Sequence, residues 1–334
     1  MGLASKRFAG AAVGLSRRAC LGTAALVCTE RFTLHDAQAQ MSPPITSVQA
    51  PESASADGTD SGGYVSPYAL RFSVPQPLLD AGFDAAPWND PDAESNLSAA
   101  VWQDQNAHAL GAAWGPPARQ YPAPSLPHSD AGYRRERVIS VAARHIGLSY
   151  QHHHLPSWQP PGGWPWLPVK IGANGPGLDC SNFSSFVFNY ALGVKLPTGI
   201  GRQAALRRLA GPGGEGCLTA QLIRDQFAAV IAALQPADLL YFRNPQGRIR
   251  HVALWVGAIG QTADQAPAAL VIDCSQHRHR DGQGNAIPPG VWLRPFTADS
   301  WYAAHLSHVH RLIGATSALC DATPGPAPEG DDRA

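Results

Sequence analysis

Charge is scarce in this chain of 334 residues: Asp, Glu, Lys and Arg make up 15% of it, against about 25% in an ordinary soluble domain. The 25 basic and 25 acidic residues cancel. Without excess positive charge there is no electrostatic footprint for a nucleic-acid backbone or an anionic membrane surface, so neither is expected as a partner. No apolar run reaches the roughly 18 to 20 residues that a membrane-spanning helix requires. Cysteine is rare as well, six in all and none in a Cys-x-x-Cys pair, which excludes a disulfide scaffold and a structural zinc site. There is no Gly-rich phosphate loop, and Gly62-Gly63-Tyr64-Val65-Ser66 is no nucleophile elbow. The abundant residues are Gly (33) and Pro (30), which demand loops and speak against long helical bundles. The 44% hydrophobic content still supplies one sizeable core.

Residues 1–39 read as an export address. Lys6, Arg7, Arg17 and Arg18 precede a short apolar run from Ala19 to Cys28, and Ala37-Gln38-Ala39 is a small-x-small cleavage pattern. The paired arginines before the apolar run resemble a twin-arginine export signal, so a periplasmic or secreted location is expected. Its removal leaves Cys180, Cys217, Cys274 and Cys320, with a bridge from Cys217 or Cys274 to Cys320 left open. Residues 40–62 are a Ser/Pro/Ala/Asp/Gly linker. Residues 63–128 intersperse aromatics with prolines and form an accessory segment of unassigned role. The tail, 315–334, is Pro-rich and acidic, and is expected to be disordered.

Between 130 and 314 the pattern becomes regular. Val138, Val141, Ala142 and Ile146 predict a helix over 134–146. A second helix, over 179–192, carries Phe183, Phe186, Val187, Tyr190 and Ala191 on one face, with Asp179 as N-cap and Gly193 closing its C-terminus. Strand-like runs follow at 237–243, 251–257, 269–273 and 291–296, separated by turn residues. Helices followed by a meander of strands predict an α+β fold with an antiparallel sheet.

The chemistry centres on Cys180. A helix N-terminus presents unpaired N–H groups that lower a thiol's pKa, and Cys180 is one residue inside the predicted start of the best helix. A thiolate nucleophile needs a base, and the base needs an orienting group. His251 opens one strand, on the face of Ala253 and Trp255. Asp273 closes the next, on the face of Ala269 and Val271, so pairing of the two strands would bring Asp273 to the imidazole. His152-His153-His154, with His277 and His279, is the competing constellation. Consecutive histidines cannot converge on one ion, so no metal or cofactor is expected.

The motifs Gly177-Leu178-Asp179-Cys180-Ser181-Asn182-Phe183, Pro236-Ala237-Asp238-Leu239-Leu240-Tyr241-Phe242 and Arg250-His251-Val252-Ala253-Leu254-Trp255-Val256-Gly257 resemble, in order and spacing, those of the NlpC-type cell-wall peptidase family. The likeness extends over about 132–314. It implies a papain-like core with the nucleophile helix packed on an antiparallel sheet. It also implies hydrolysis of amide bonds in peptidoglycan stem peptides, often between D-glutamate and a diamino acid. By carry-over Cys180 is the nucleophile, His251 the general base and Asp273 the orienting group, with Tyr150, Ser181 and Asn182 as substrate- or oxyanion-contacting neighbours. Two positions depart from the pattern. Asn182 stands where the family usually has Gly, and Asp273 where it has His, Asn or Gln. A long insert between Tyr150 and Cys180 carries Trp158, Trp164 and Trp166, a candidate wall over the cleft. Two other readings stay open: a Cys-His amidase with a non-wall substrate, and a catalytically silent wall-binding protein.

Overall fold

The computed structural model describes residues 63–83, 91–106, 114–128, 130–160, 175–207, 218–221 and 227–314. All of them lie within one of the chain's two compact units, Thr46–Ala334. The expected signal and linker, the tail, Trp164, Trp166, Cys217 and Cys320 fall outside the described residues.

The first half forms β1 (Tyr68–Leu70), α1 (Gln76–Leu79), α2 (Pro91–Glu94), α3 (Ala99–Asn106), α4 (Ala131–Ala143), β2 (Ser149–Tyr150), β3 (Gly177–Leu178), α5 (Cys180–Leu192), α6 (Ile200–Ala204) and β4 (Leu218–Gln221). The second forms α7 (Phe227–Ala233), β5 (Leu239–Arg243), β6 (Ile249–Trp255), β7 (Gly260–Thr262), β8 (Leu270–Ser275), β9 (His279–Arg280), β10 (Ala286–Ile287), β11 (Gly290–Pro295), α8 (Trp301–His305) and β12 (Leu306–Arg311). Six strands make one sheet in the order β11-β8-β6-β5-β12-β4, every neighbouring pair antiparallel. The protein is therefore α+β, with α5 packed on an antiparallel sheet as the papain-like reading requires.

The strands read as continuous apolar runs because both faces of the sheet are covered. Val252, Leu254, Leu270, Ile272, Val291 and Leu293 lie in the core with Phe183, Phe186 and Val187 of α5. Their alternates, Leu240, Phe242, Ala253, Trp255 and Val271, pack with Val230 of α7, Phe296, and Tyr302 of α8. This second apolar cluster, on the opposite sheet face, lies beside the main core.

Helix α5 begins where Asp179 Oδ1 accepts the Asn182 N–H at 2.8 Å, and ends at Gly193 with φ +70°. Every residue from Cys180 to Ala191 is buried, not only the apolar stripe. The 63–128 segment supplies the extra cover. Phe83 stacks on Tyr190 at 4.7 Å, and Tyr121 meets Phe186 and Tyr190 edge-on. The Tyr121 N–H donates to Asn189 Oδ1 (3.0 Å), and Asn189 Nδ2 donates to the Arg119 carbonyl (2.6 Å). Strand β1 pairs with β7, Tyr68 opposite Thr262. Arg137 of α4, fully buried, ties these pieces by donating to the carbonyls of Leu79, Ala81 and Ala191. The accessory segment is thus built into the same core as the helix that carries Cys180.

Gly193 serves two needs at once. Its positive φ is strained for any L side chain, and a Cβ there would sit 2.6 Å from the Ala123 nitrogen. Gly193→Ala is expected to destabilise the fold by about 2 kcal/mol or more, since strain and backbone collision add. A urea midpoint unchanged from wild type would contradict this.

Candidate active site

Two short pairings bring the site together. Parallel strands β2 and β3 set Tyr150 opposite Leu178, two residues before Cys180. Antiparallel β6 and β8 bring His251 and Asp273 together. His251 Nε2 lies 2.5 Å from Asp273 Oδ2, and both side chains meet Tyr302 of α8. His251 is 9% exposed and Asp273 fully buried. For this bond to form with an ionised carboxylate, Nε2 carries the proton, which leaves Nδ1 as the nitrogen able to accept one.

Asp273 is held on three sides. The Tyr302 hydroxyl donates to Oδ2 at 2.6 Å, and the Arg294 Nε lies 3.3 Å from Oδ1. Burial alone would raise its pKa, but the Arg294 guanidinium and the imidazole of His251 outweigh that and hold the carboxyl well below its ordinary range.

Cys180 is 6% exposed at the first turn of α5, and its thiol is free. The backbone N–H groups of Val252, the residue after His251, and of Ser181 favour its charged form. Burial first, then the Asp179 and Asp273 carboxylates, push this thiol far up, and those two N–H groups only partly offset the push. The expected thiolate set by the helix N-terminus is therefore not the resting state. Desolvation of a sulfur anion beside two carboxylates outweighs the pull of the helix end. No hydrogen bond joins Cys180 to His251 among the described residues. In unliganded sites such bonds are commonly long and tighten when substrate binds.

The three flanking residues divide. Tyr150 packs beside Cys180, 8% exposed, and burial together with the neighbouring Cys180 and Asp179 pushes its hydroxyl upward, so it is a neutral donor. Asn182 is only 2% exposed, and its amide is committed internally. Its Nδ2 donates to Asp179 Oδ2 (2.8 Å), and its Oδ1 lies 2.8 Å from His154 Nδ1. It braces the helix start through these two partners. The Ser181 hydroxyl likewise turns to Asp179 Oδ1 (3.1 Å), so what it offers the cleft is its backbone N–H.

The histidine run diverges, as consecutive side chains must. His152 faces Asp179, His153 is buried edge-on to Trp158 at 4.6 Å, and His154 holds Asn182. Among the described residues no group of three or more His, Cys, Asp or Glu could hold a metal ion. Trp158 is 1% exposed and belongs to the core, so it forms no wall over the cleft. Cys274 is a free buried thiol on the Leu178 carbonyl (2.9 Å), which removes it from the candidate bridge to Cys320. The sequence did not single out Tyr302, which has no local motif. An Arg inside the apolar run 291–296, however, is a signal that a buried anion must lie near it.

A cysteine at the N-terminus of a helix packed on an antiparallel sheet is the arrangement of a papain-like α+β core. Residues 168–281 match the family model described as "NlpC/P60 family", in agreement with the resemblance that the sequence motifs carry. Among solved structures, the chain is similar to an NlpC/P60 family protein from Bacillus cereus ATCC 10987 (18% identity, TM-score 0.32, 57% of this chain and 41% of that one). It is also similar to NlpC1 from Trichomonas vaginalis (16%, 0.32, 58% and 49%) and to an NlpC/P60 endopeptidase from Photobacterium damselae subsp. piscicida (13%, 0.32, 53% and 38%). The chain spans less than half the length of each of these three. A comparison with curated proteins finds no match. No helix among the described residues is long and apolar enough to cross a membrane.

Proposed function

We propose that this protein is an exported cysteine peptidase that hydrolyses an amide bond in peptidoglycan stem peptides, the bond between D-glutamate and the diamino acid. The observation that carries the proposal is the His251–Asp273 pair, 2.5 Å apart, on a strand whose next residue, Val252, favours the charged form of Cys180 through its backbone N–H. In this reading His251 Nδ1 takes the thiol proton as the sulfur attacks the carbonyl carbon. Its Nε2–H stays on Asp273 throughout, and the imidazolium then protonates the leaving amine. Water attacks the resulting thioester with the same imidazole as base, and the carboxylate product leaves. The Cys180 and Ser181 backbone N–H groups and the Tyr150 hydroxyl stabilise the oxyanion. Nucleophile ionisation and attack are concerted with proton transfer, because the buried resting thiol is neutral. Export by a twin-arginine route, from residues 1–39, belongs to the same proposal, with the periplasm or the exterior as the location.

The test is digestion of purified peptidoglycan, with mass spectrometry of the released fragments. Fragments ending in D-glutamate, paired with new diamino-acid amino termini, are expected; intact stem peptides after exhaustive incubation would refute the proposal. The second reading, a silent wall-binding protein, draws on the absence of a Cys180–His251 hydrogen bond. It predicts co-sedimentation with cell walls without fragment release.

A further inference from the structure

The departure at Asp273 poses a physical problem that the surrounding structure answers. The family pattern places a neutral group or a histidine at this position; here a carboxylate of zero exposure sits 2.5 Å from the imidazole. A lone buried carboxylate at that distance would draw a proton onto His251 and keep it there, leaving a cation that cannot act as a base. Arg294 lies on β11, the strand paired with β8, at a position diagonal to Asp273, whose direct partner is Trp292. Its side chain is also fully buried, and its Nη2 donates to the carbonyls of Pro288 (3.1 Å) and Gly290 (3.2 Å). This grip leaves Nε 3.3 Å from Asp273 Oδ1, outside hydrogen-bond geometry, so the guanidinium acts on the carboxylate through its charge. Oδ2 is then the oxygen shared by His251 and the Tyr302 hydroxyl.

We propose that Arg294 and Tyr302 are positioning residues that act through Asp273: the guanidinium balances its charge, the hydroxyl fixes its second oxygen, and together they set how tightly His251 holds a proton. The inference rests on the peptidase reading above and extends it to two residues that touch neither substrate nor the reacting atoms. The charged and titratable groups packed around Asp273 are His251 on β6, Arg294 on β11, His279 on β9, Tyr302 on α8, Cys274 on its own strand and Cys180 on α5. His279 stacks on Tyr302 at 5.1 Å, and burial pushes its pKa down to about 4, so at neutral pH the compensating cation on the Oδ1 side is Arg294.

Charge balance has a signature that a purely structural role lacks. Arg294→Met leaves the carboxylate uncompensated, so the His251 titration midpoint and the acid limb of the rate profile both move up by about one pH unit. Asp273→Asn leaves the guanidinium uncompensated and moves both down. The double variant Asp273→Asn/Arg294→Met is neutral at both positions and lies between the two singles, while Arg294→Lys retains the wild-type midpoint. Tyr302→Phe moves the midpoint up by less than Arg294→Met does.

The measurement is NMR titration of the His251 ring signals in the full chain, assigned with His251→Gln. It is run alongside pH–rate profiles of peptidoglycan digestion. The NMR arm needs no substrate, so absence of digestion counts against the peptidase reading while the titration still tests the inference. Opposite displacements in the two single variants support the proposal. Midpoints that stay in place, or that move in the same direction, overturn it. If Arg294→Met does not fold, Asp273→Asn and Tyr302→Phe decide, the first moving down and the second up; static midpoints in that pair overturn it.

Discussion

Cys180→Ala is expected to abolish release of stem-peptide fragments, with a loss of at least about four orders of magnitude. The fold should survive. Alanine is the best helix former, the site is the first turn of α5, and only the sulfur is removed from a position already capped by Asp179. Cys180→Ser should be nearly as inactive, because a hydroxyl at this position is far harder to deprotonate than a thiol and His251 is the same base. Unreacted substrate with an unchanged melting curve is the combination to look for. Release at even a hundredth of the wild-type rate by the alanine variant would show that another group does the chemistry. The neutral resting thiol adds a second expectation. Iodoacetamide should label Cys180 more slowly at pH 7 than it labels an exposed cysteine, because the alkylated species is the thiolate.

Acid should unfold this protein sooner than its balanced composition would suggest. Burial pushes His145 down to about 4, and His153 and His310 to about 3. Each is packed among rings: His145 against Phe183 and Phe186, His153 against Trp158, His310 against Tyr241. The folded-state values lie below the unfolded one of about 6.5, so protonation favours the unfolded chain. The stabilisation is complete above about pH 6.5 and is lost as pH falls toward 4 and then 3. At pH 5 each histidine withdraws about 2 kcal/mol, and three withdraw about 6, against a total stability of roughly 5 to 15. Asp273, depressed in the fold, adds to the loss only below about pH 4. The melting temperature should therefore fall by more than about 10 °C between pH 7.5 and 5. A flat profile over that range would mean that these imidazoles are solvated and titrate normally.

How much of this was legible in the sequence follows the range of each interaction. Local signals carried furthest. The cap at Asp179, the stop at Gly193 and the apolar stripe of α5 are written within fifteen residues, and they gave the helix within one residue. The four strands appeared at their expected places within two residues, because runs such as Leu239-Leu240-Tyr241-Phe242 are apolar on both faces. The meeting of His251 and Asp273 also followed, since alternation fixes which side chains share a face once two strands pair. Long-range cover left no such trace. That Asn189 would be satisfied by residues 119 and 121, or that β1 would pair with a strand some 190 residues later, depends on tertiary closure and has no periodicity. The partners of Asn182, which stands where the family usually has Gly, were equally invisible. Its actual partners, Asp179 and His154, come from the helix cap and from the histidine run.

The wrapping of α5 by residues 114–128 has a practical bearing on how the protein can be made. An expression boundary drawn at the family match, 168–281, would delete α4, the first half of the β2–β3 pairing, β11, α8 and β12. A boundary at 130 would keep these but strip Tyr121 from Phe186 and Tyr190, and would leave the Asn189 amide without its two backbone partners. The smallest piece that retains a closed interior therefore starts near Tyr64, whose ring meets Trp292 edge-on at 5.1 Å, and runs to Gly314. Shorter recombinant fragments would present a wet, sticky helix flank and collect in inclusion bodies.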